Sequence, residues 1–231
     1  MWTRKELKEK AVPAFKANYW LSVLAGAIIA ALTGSGGSSS RNATTKAKES
    51  IGSGDTSVMI LVLAVIAAIA LAVITLTLVK IFVGNTLVVG CQKLFINNEA
   101  SSEKPDITTI VFAFKDGHWI NTVLVMFLKD LFVSLWSLLL VIPGIIKSYE
   151  YRMIPYLLAE NPGMDRTEAF AKSKEMMDGE KWNAFVLDLS FIGWIILSIF
   201  TLGILAIFYV NPYIYQTNAE LYLTLKKKLA Q

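Results

Sequence analysis

Val58 to Val79 reads VMILVLAVIAAIALAVITLTLV, with no charge, no Gly and no Pro. A helix over this run is apolar on every face and has no side to offer water. At 1.5 Å per residue it is about 33 Å long, enough to cross a hydrocarbon core of ~30 Å. A soluble helical bundle does not produce such a run, because its helices keep one polar face. The chain therefore reads as an all-α integral membrane protein.

Composition agrees with this reading. Hydrophobic residues make up 55% of the 231 residues and charged residues 17%, against norms of roughly 45–50% and 25%. Mean hydropathy is +0.53 and the isoelectric point is 9.0. The net charge of +4 does not indicate nucleic acid, because the bases sit at the ends of apolar runs, where membrane topology accounts for them. One Cys (Cys91) and one His (His118) leave no internal disulfide and no thiolate or imidazole metal cluster.

Working outward from that run, three similar lead-ins appear: AFKANYW ending at Trp20, AFKDGHW ending at Trp119, and MMDGEKW ending at Trp182. Phe15, Phe114 and Met177 each stand five residues before their Trp. Trp is enriched where helices pass from headgroups into lipid, so these three are read as interfacial anchors. Each opens a hairpin. The first has an arm from about Asn18 to Thr33, a Gly/Ser-rich external loop over 34–56, and a return arm from Ser57 to about Gly90. That return arm is too long for one straight span, so it must tilt, project or break near Gly84. The second runs from Trp119 to Val141, turns at Ile142-Pro143-Gly144 and returns over Ile145 to Ala159. The third runs from Trp182 to Phe200, turns at Thr201-Leu202-Gly203 and returns from Ile204 to about Leu225.

The return arms align without gaps at Phe82-x-x-Asn85-Thr86, Tyr151-x-x-Ile154-Pro155 and Phe208-x-x-Asn211-Pro212. Pro155 and Pro212 fall inside helical stretches and are expected to kink them. The expectation is a single membrane domain, 1–231, of about six transmembrane helices. These form three helical-hairpin repeats, about 1–97, 105–160 and 165–231. An amphipathic helix precedes each hairpin, with stripes at Leu7, Ala11 and Phe15, at Ile107, Ile110 and Phe114, and at Phe170, Ser173 and Met177. These helices are expected in the headgroup plane or packed on the span ends. The stretch before Leu32, with Arg4, Lys5, Lys8 and Lys10 ahead of it, has the outline of a secretory leader. Its match to the internal lead-ins makes it a span. Most of the 22 Lys and Arg residues lie on the side of the termini, which the positive-inside rule places in the cytoplasm.

Ionisable residues within spans are the default functional candidates. Here they are Lys129, Asp130, Glu150 and Arg152. Lys129 and Asp130 project about 100° apart and pair poorly with each other. Counted back from the turn, Arg152 approaches the depth of Asp130 and is its expected partner. That pair either locks the hairpin or lines a polar path. Asp188 lies about 9 Å past Trp182. No HExxH, GxSxG, P-loop or Rossmann fingerprint is present, and no catalytic, cofactor or metal residues emerge. An enzyme is not expected.

From Leu135 onward, LWSLLLVIPGIIKSYEYRMIPYLLAENP, SKEMMDGEKW, LDLSFIGWIIL and VNPY occur in order. Together they resemble domain-of-unknown-function family 975, predicted integral membrane proteins of Gram-positive bacteria. The resemblance implies a multi-pass protein of the bacterial plasma membrane, and it supplies no activity and no ligand residues. The function expected is non-enzymatic, exerted on envelope components or membrane partners and in contact with lipids. The alternative is a small-solute or ion transporter or channel using the intramembrane charges.

Overall fold

The computed structural model describes residues 3–17, 19, 22–23, 56–100, 106–115 and 117–230. Trp20, most of the first arm and the loop 34–56 lie outside the described residues, apart from the start of the next helix at Thr56. Among the described residues every regular element is helical. Three helices are long and apolar enough to cross a membrane: Val62–Ala100, Trp119–Leu139 and Lys181–Phe200.

Helix α1 is Arg4–Ala17, and α2 is Thr56–Val79. A π-helical turn, Lys80–Gly84, joins α2 to α3, Asn85–Ala100. The helix does not break near Gly84 but runs on through this turn, Val62–Ala100. A 3-10 turn, Ile107–Val111, leads into α4, Phe112–Lys115. The second hairpin is α5, Trp119–Leu139, and α6, Val141–Glu150. It turns at extended Leu140, not at Pro143-Gly144. Pro143 instead lies in the first turn of α6, where a missing N–H costs nothing. Gly144 lies close to Ser137, because a Cβ there would stand 2.3 Å from Ser137 Oγ. After the turn Tyr151–Met153 comes α7, Ile154–Glu160. Helix α8 is Arg166–Met176, α9 is Lys181–Leu189 and α10 is Ile192–Phe200. A second π-turn, Ala206–Val210, precedes α11, Asn211–Leu229.

Pro155 follows the turn Tyr151–Met153 and so does not interrupt a helix, whereas Pro212 lies within the unbroken helical stretch 204–229, just after its π-turn. Pro155 sits in the first turn of α7, where proline is well tolerated. The irregularity beside Pro212 lies just upstream. Asn211 N–H reaches Ala206 O, and Asn85 N–H likewise reaches Lys80 O. Position 86 is Thr, so a proline is not what produces the π-turn there.

Helices α3, α7 and α11 form the centre. Gln216 on α11 donates to Phe95 O at 3.2 Å and accepts from Asn98 Nδ2 at 2.9 Å, tying α11 to α3. Tyr156 stacks on Tyr222 at 5.4 Å, tying α7 to α11. Around these polar ties Leu94, Phe95, Met153, Leu158, Met177 and Tyr222 are fully buried. Burying each of the large apolar side chains contributes about 1.5–3 kcal/mol.

The amphipathic segments pack onto this centre. Leu7, Ala11 and Phe15 are buried, with α1 lying on α11. The 3-10 turn lies on α3 so closely that a Cβ on Gly90 would sit 1.9 Å from Ile110 O. Helix α8 buries Ala169, Ser173 and Met176. It joins α7 where Ser173 Oγ donates to Glu150 O at 2.8 Å and accepts from Met153 N at 3.2 Å. The first and third stripes are thus largely used inside the protein, whereas in the second Ile110 is buried and Ile107 stays 53% exposed.

Candidate functional site

The π-turn, the middle of α5 and the turn after α6 enclose a cavity of about 520 Å³. Lys80, Asn85, Lys129, Asp130, Ser134, Ser148, Tyr151 and Arg152 supply its polar lining, with Val88, Met126 and Val133 between them. Lys80 opens the π-turn and Asn85 follows it. Such turns frequently occur at functional sites because they re-aim side chains that a regular helix would bury elsewhere.

The structure brings Lys129, Asp130 and Arg152 to this cavity and takes Glu150 away from it. The expected Asp130–Arg152 pair is not formed. Asp130 pairs with its neighbour Lys129, Nζ to Oδ1 at 3.2 Å, because the flexible lysine stem bends across the angle between adjacent positions. Arg152 instead holds Asp188 with both arms of its guanidinium, at 2.8 and 2.7 Å, and donates to Asn218 Oδ1 at 2.7 Å. Tyr149 OH donates to the same carboxylate at 2.7 Å. The depth count from Gly144 assumed a straight return arm. The turn Tyr151–Met153 rotates Arg152 off the α5 side and toward α9. A bidentate arginine–carboxylate pair fixes orientation as well as charge, so Asp188 positions Arg152 at the cavity wall.

Glu150 is buried on another face among three lysines: Lys147 at 2.9 Å, Lys181 at 3.7 Å and Lys174 at 3.9 Å. It ties α6 to the segment leading into α9. Of the two described Trp anchors, Trp119 donates its indole N–H to Phe82 O at 2.9 Å, and Trp182 is 71% exposed. Trp20 lies outside the described residues.

Sequence reasoning missed Asp188 as the partner of Arg152, and missed Lys80, Ser134, Ser148 and Tyr151 in the lining. The place of Lys80 in the register, two residues before Phe82-x-x-Asn85, was the signal available. Counting lining and contacting residues, three cations (Lys80, Lys129, Arg152) face two carboxylates (Asp130, Asp188), leaving one positive charge in excess. Hydroxyl and amide donors surround it. Such a lining suits an anion better than a cation. Among the described residues no group of three His, Cys, Asp or Glu side chains is placed to hold a metal ion.

The fold and cavity define a class: an all-helical protein with arms apolar enough for a membrane and a charged cavity where those arms meet a packed body. Residues 137–229 match the model of a family described as protein of unknown function (DUF975). Over that stretch, from the tip of α5 through α11, the chain resembles this family. No curated protein and no solved structure matches the chain.

Proposed function

We propose that this is a multi-pass protein of a bacterial plasma membrane, with both termini in the cytoplasm, that is not an enzyme. It acts by binding a membrane component, the anionic headgroup of a phospholipid. The cavity carries this reading, with its excess positive charge, its donors and its position beside apolar helix faces. A separate cleft between α2 and α5, about 320 Å³, is apolar throughout and lined by Leu78, Phe82, Ile120 and Leu124 among others. Lipids are the partners this implies, and other membrane proteins would meet the exposed arms. Nucleic acid and cofactors have no part in it.

Three repeats of helical hairpins underlie the architecture in this proposal. Two observations support them. The π-turns Lys80–Gly84 and Ala206–Val210 fall at the same register of the aligned return arms, and the turn Tyr151–Met153 falls within that register in the second. Each amphipathic lead-in also packs on the return arm of the preceding hairpin: the 3-10 turn on α3, α8 on α7, and α1 on α11, which closes the ring.

The competing reading is transport through the charged cavity. Flux of ions, amino acids and peptides into liposomes containing the purified protein separates the two. Lipid binding predicts no flux above protein-free vesicles. Flux abolished by Asp130→Asn would establish transport instead.

A further inference from the structure

Helices α5 and α9–α10 are long enough to cross a bilayer, yet one face of each lower part is packed on the body, while Ile120 and Trp182 on the other face stay exposed. Thr122, Val123, Val125 and Met126 of α5 are buried in the body. Phe170 of α8 packs edge-on against Phe132 at 5.6 Å and against Tyr151 at 4.9 Å. Around Phe170, residues Arg166, Glu168, Lys172 and Lys174 are exposed, and a helix so charged lies in water or among headgroups. The level of Phe132 and Tyr151 is therefore polar. From Phe132 to the tip at Leu140 the chain climbs only about 12 Å.

The third hairpin repeats this. Lys8 on the charged helix α1 donates to Ser190 O at 3.4 Å and lies 4.1 Å over the ring of Phe191. Phe15 of α1 packs on Tyr209 at 5.6 Å. From Tyr209 to Leu202 the climb is about 10 Å, and from Phe191 about 17 Å. One leaflet holds about 15 Å of hydrocarbon.

The tips are built for a medium without water. Leu138 is 85% exposed and Leu202 94%, and no charged residue occurs in Leu131–Ile146 or Leu189–Ala219. An aqueous external loop has no use for such surface. The backbone at the third tip also closes on itself. Leu202 N–H reaches Ile199 O, Gly203 N–H reaches Ser198 O and Ile204 N–H reaches Thr201 O, at 2.9–3.1 Å. Leu205 N–H takes Thr201 Oγ1 at 3.2 Å. At the second tip Leu140 N–H reaches Trp136 O and Gly144 N–H reaches Leu140 O, Pro143 brings no N–H, and Leu140 offers no side-chain cap to the N–H groups of Val141 and Ile142. Irregular backbone survives in hydrocarbon only when its polar groups are satisfied internally.

We infer that the second and third hairpins are half-bilayer wedges that enter the leaflet on the basic side and turn back within it, so that among the described helices only α2 crosses the membrane. The apolar surface of Leu131–Ile146 and Leu189–Phe208 is covered by acyl chains of that one leaflet. This holds whatever the cavity binds.

Nitroxide labels at Leu140→Cys and Leu202→Cys test it, in full-length Cys91→Ala protein in proteoliposomes, with Lys227→Cys and Asp55→Cys as references for the two sides. Power saturation reads contact with oxygen, which partitions into lipid, and with a water-soluble nickel chelate. Both tips are expected near the maximum of oxygen contact with the chelate excluded. Neither is expected to react with an impermeant maleimide from either face. Reaction or chelate contact on the Asp55 side would show spanning hairpins, and on the Lys227 side hairpins outside the bilayer. Either overturns the inference. If a tip variant fails to fold, Ile142→Cys and Phe200→Cys read the same depths.

Discussion

Arg152 and Asp188 form the ion pair on which the cavity wall depends. The side chain of Arg152 is 15% exposed and that of Asp188 37%. Removing one partner strands the other, which costs about 3 kcal/mol, the low end for a buried pair because Asp188 keeps some solvent. Asp188→Ala should therefore lower thermal stability in detergent markedly. Arg152→Leu with Asp188→Leu should recover most of the loss, since no charge is then left alone. Asp130→Ala is different. Asp130 is 48% exposed and pairs only with its neighbour, so its loss should cost under about 1 kcal/mol. Equal losses in Asp188→Ala and Asp130→Ala would contradict this ranking. The sequence marked Asp130 and Arg152 as unusual because charges in apolar runs stand out. It did not reveal the pairing, because partner choice depends on where the return arm breaks. A turn at Tyr151–Met153 has no Gly and lies ahead of its proline.

At the scale of elements, two glycines separate close packing from propensity. Gly90→Ala would drive a Cβ to 1.9 Å from Ile110 O, a backbone atom that cannot step aside. This variant should yield little folded protein by size-exclusion chromatography in detergent. Gly193 meets nothing within 4 Å, and Gly193→Ala should be neutral or stabilise α10 slightly, by up to about 1 kcal/mol. Helix α8 offers a pH test. Asp165 caps it by accepting from Thr167 N–H at 2.8 Å, and the hydrogen bonds from the Thr167 side chain and backbone hold its carboxyl below its ordinary 3.8. A carboxylate with a lowered folded pKa stabilises above its unfolded value and loses that contribution as pH falls through the folded one. Amide exchange over Thr167–Ala169 should be faster in Asp165→Ala at neutral pH, with the difference closing as pH drops below 3.8. A difference unchanged at low pH would rule out the cap. An Asp three residues before Glu168 is the sequence mark of this helix start. The helix's surroundings were not, because the Phe170, Ser173 and Met177 stripe fits a membrane surface and a protein surface equally.

Across the whole molecule, apolar helices long enough to cross a membrane were legible from one uncharged run, and the turn at Thr201–Gly203 from its Gly. What escaped was how far each arm belongs to lipid. Hydropathy counts residues along the chain and cannot see that the lower half of α5 is packed against α3 and α7. The cavity arises from that packing: it lies where the apolar arms leave the body, with Lys80, Lys129 and Arg152 on its wall. The central claim is that this cavity holds an anionic phospholipid headgroup. Native mass spectrometry of the purified full chain tests it most directly, in detergent with equal phosphatidylglycerol and phosphatidylcholine. The account predicts retention of one phosphatidylglycerol in preference to phosphatidylcholine, with the preference reduced at least tenfold in Lys80→Ala with Lys129→Ala, about 1.4 kcal/mol. Equal retention of the two lipids, or a preference untouched by that double substitution, would contradict it.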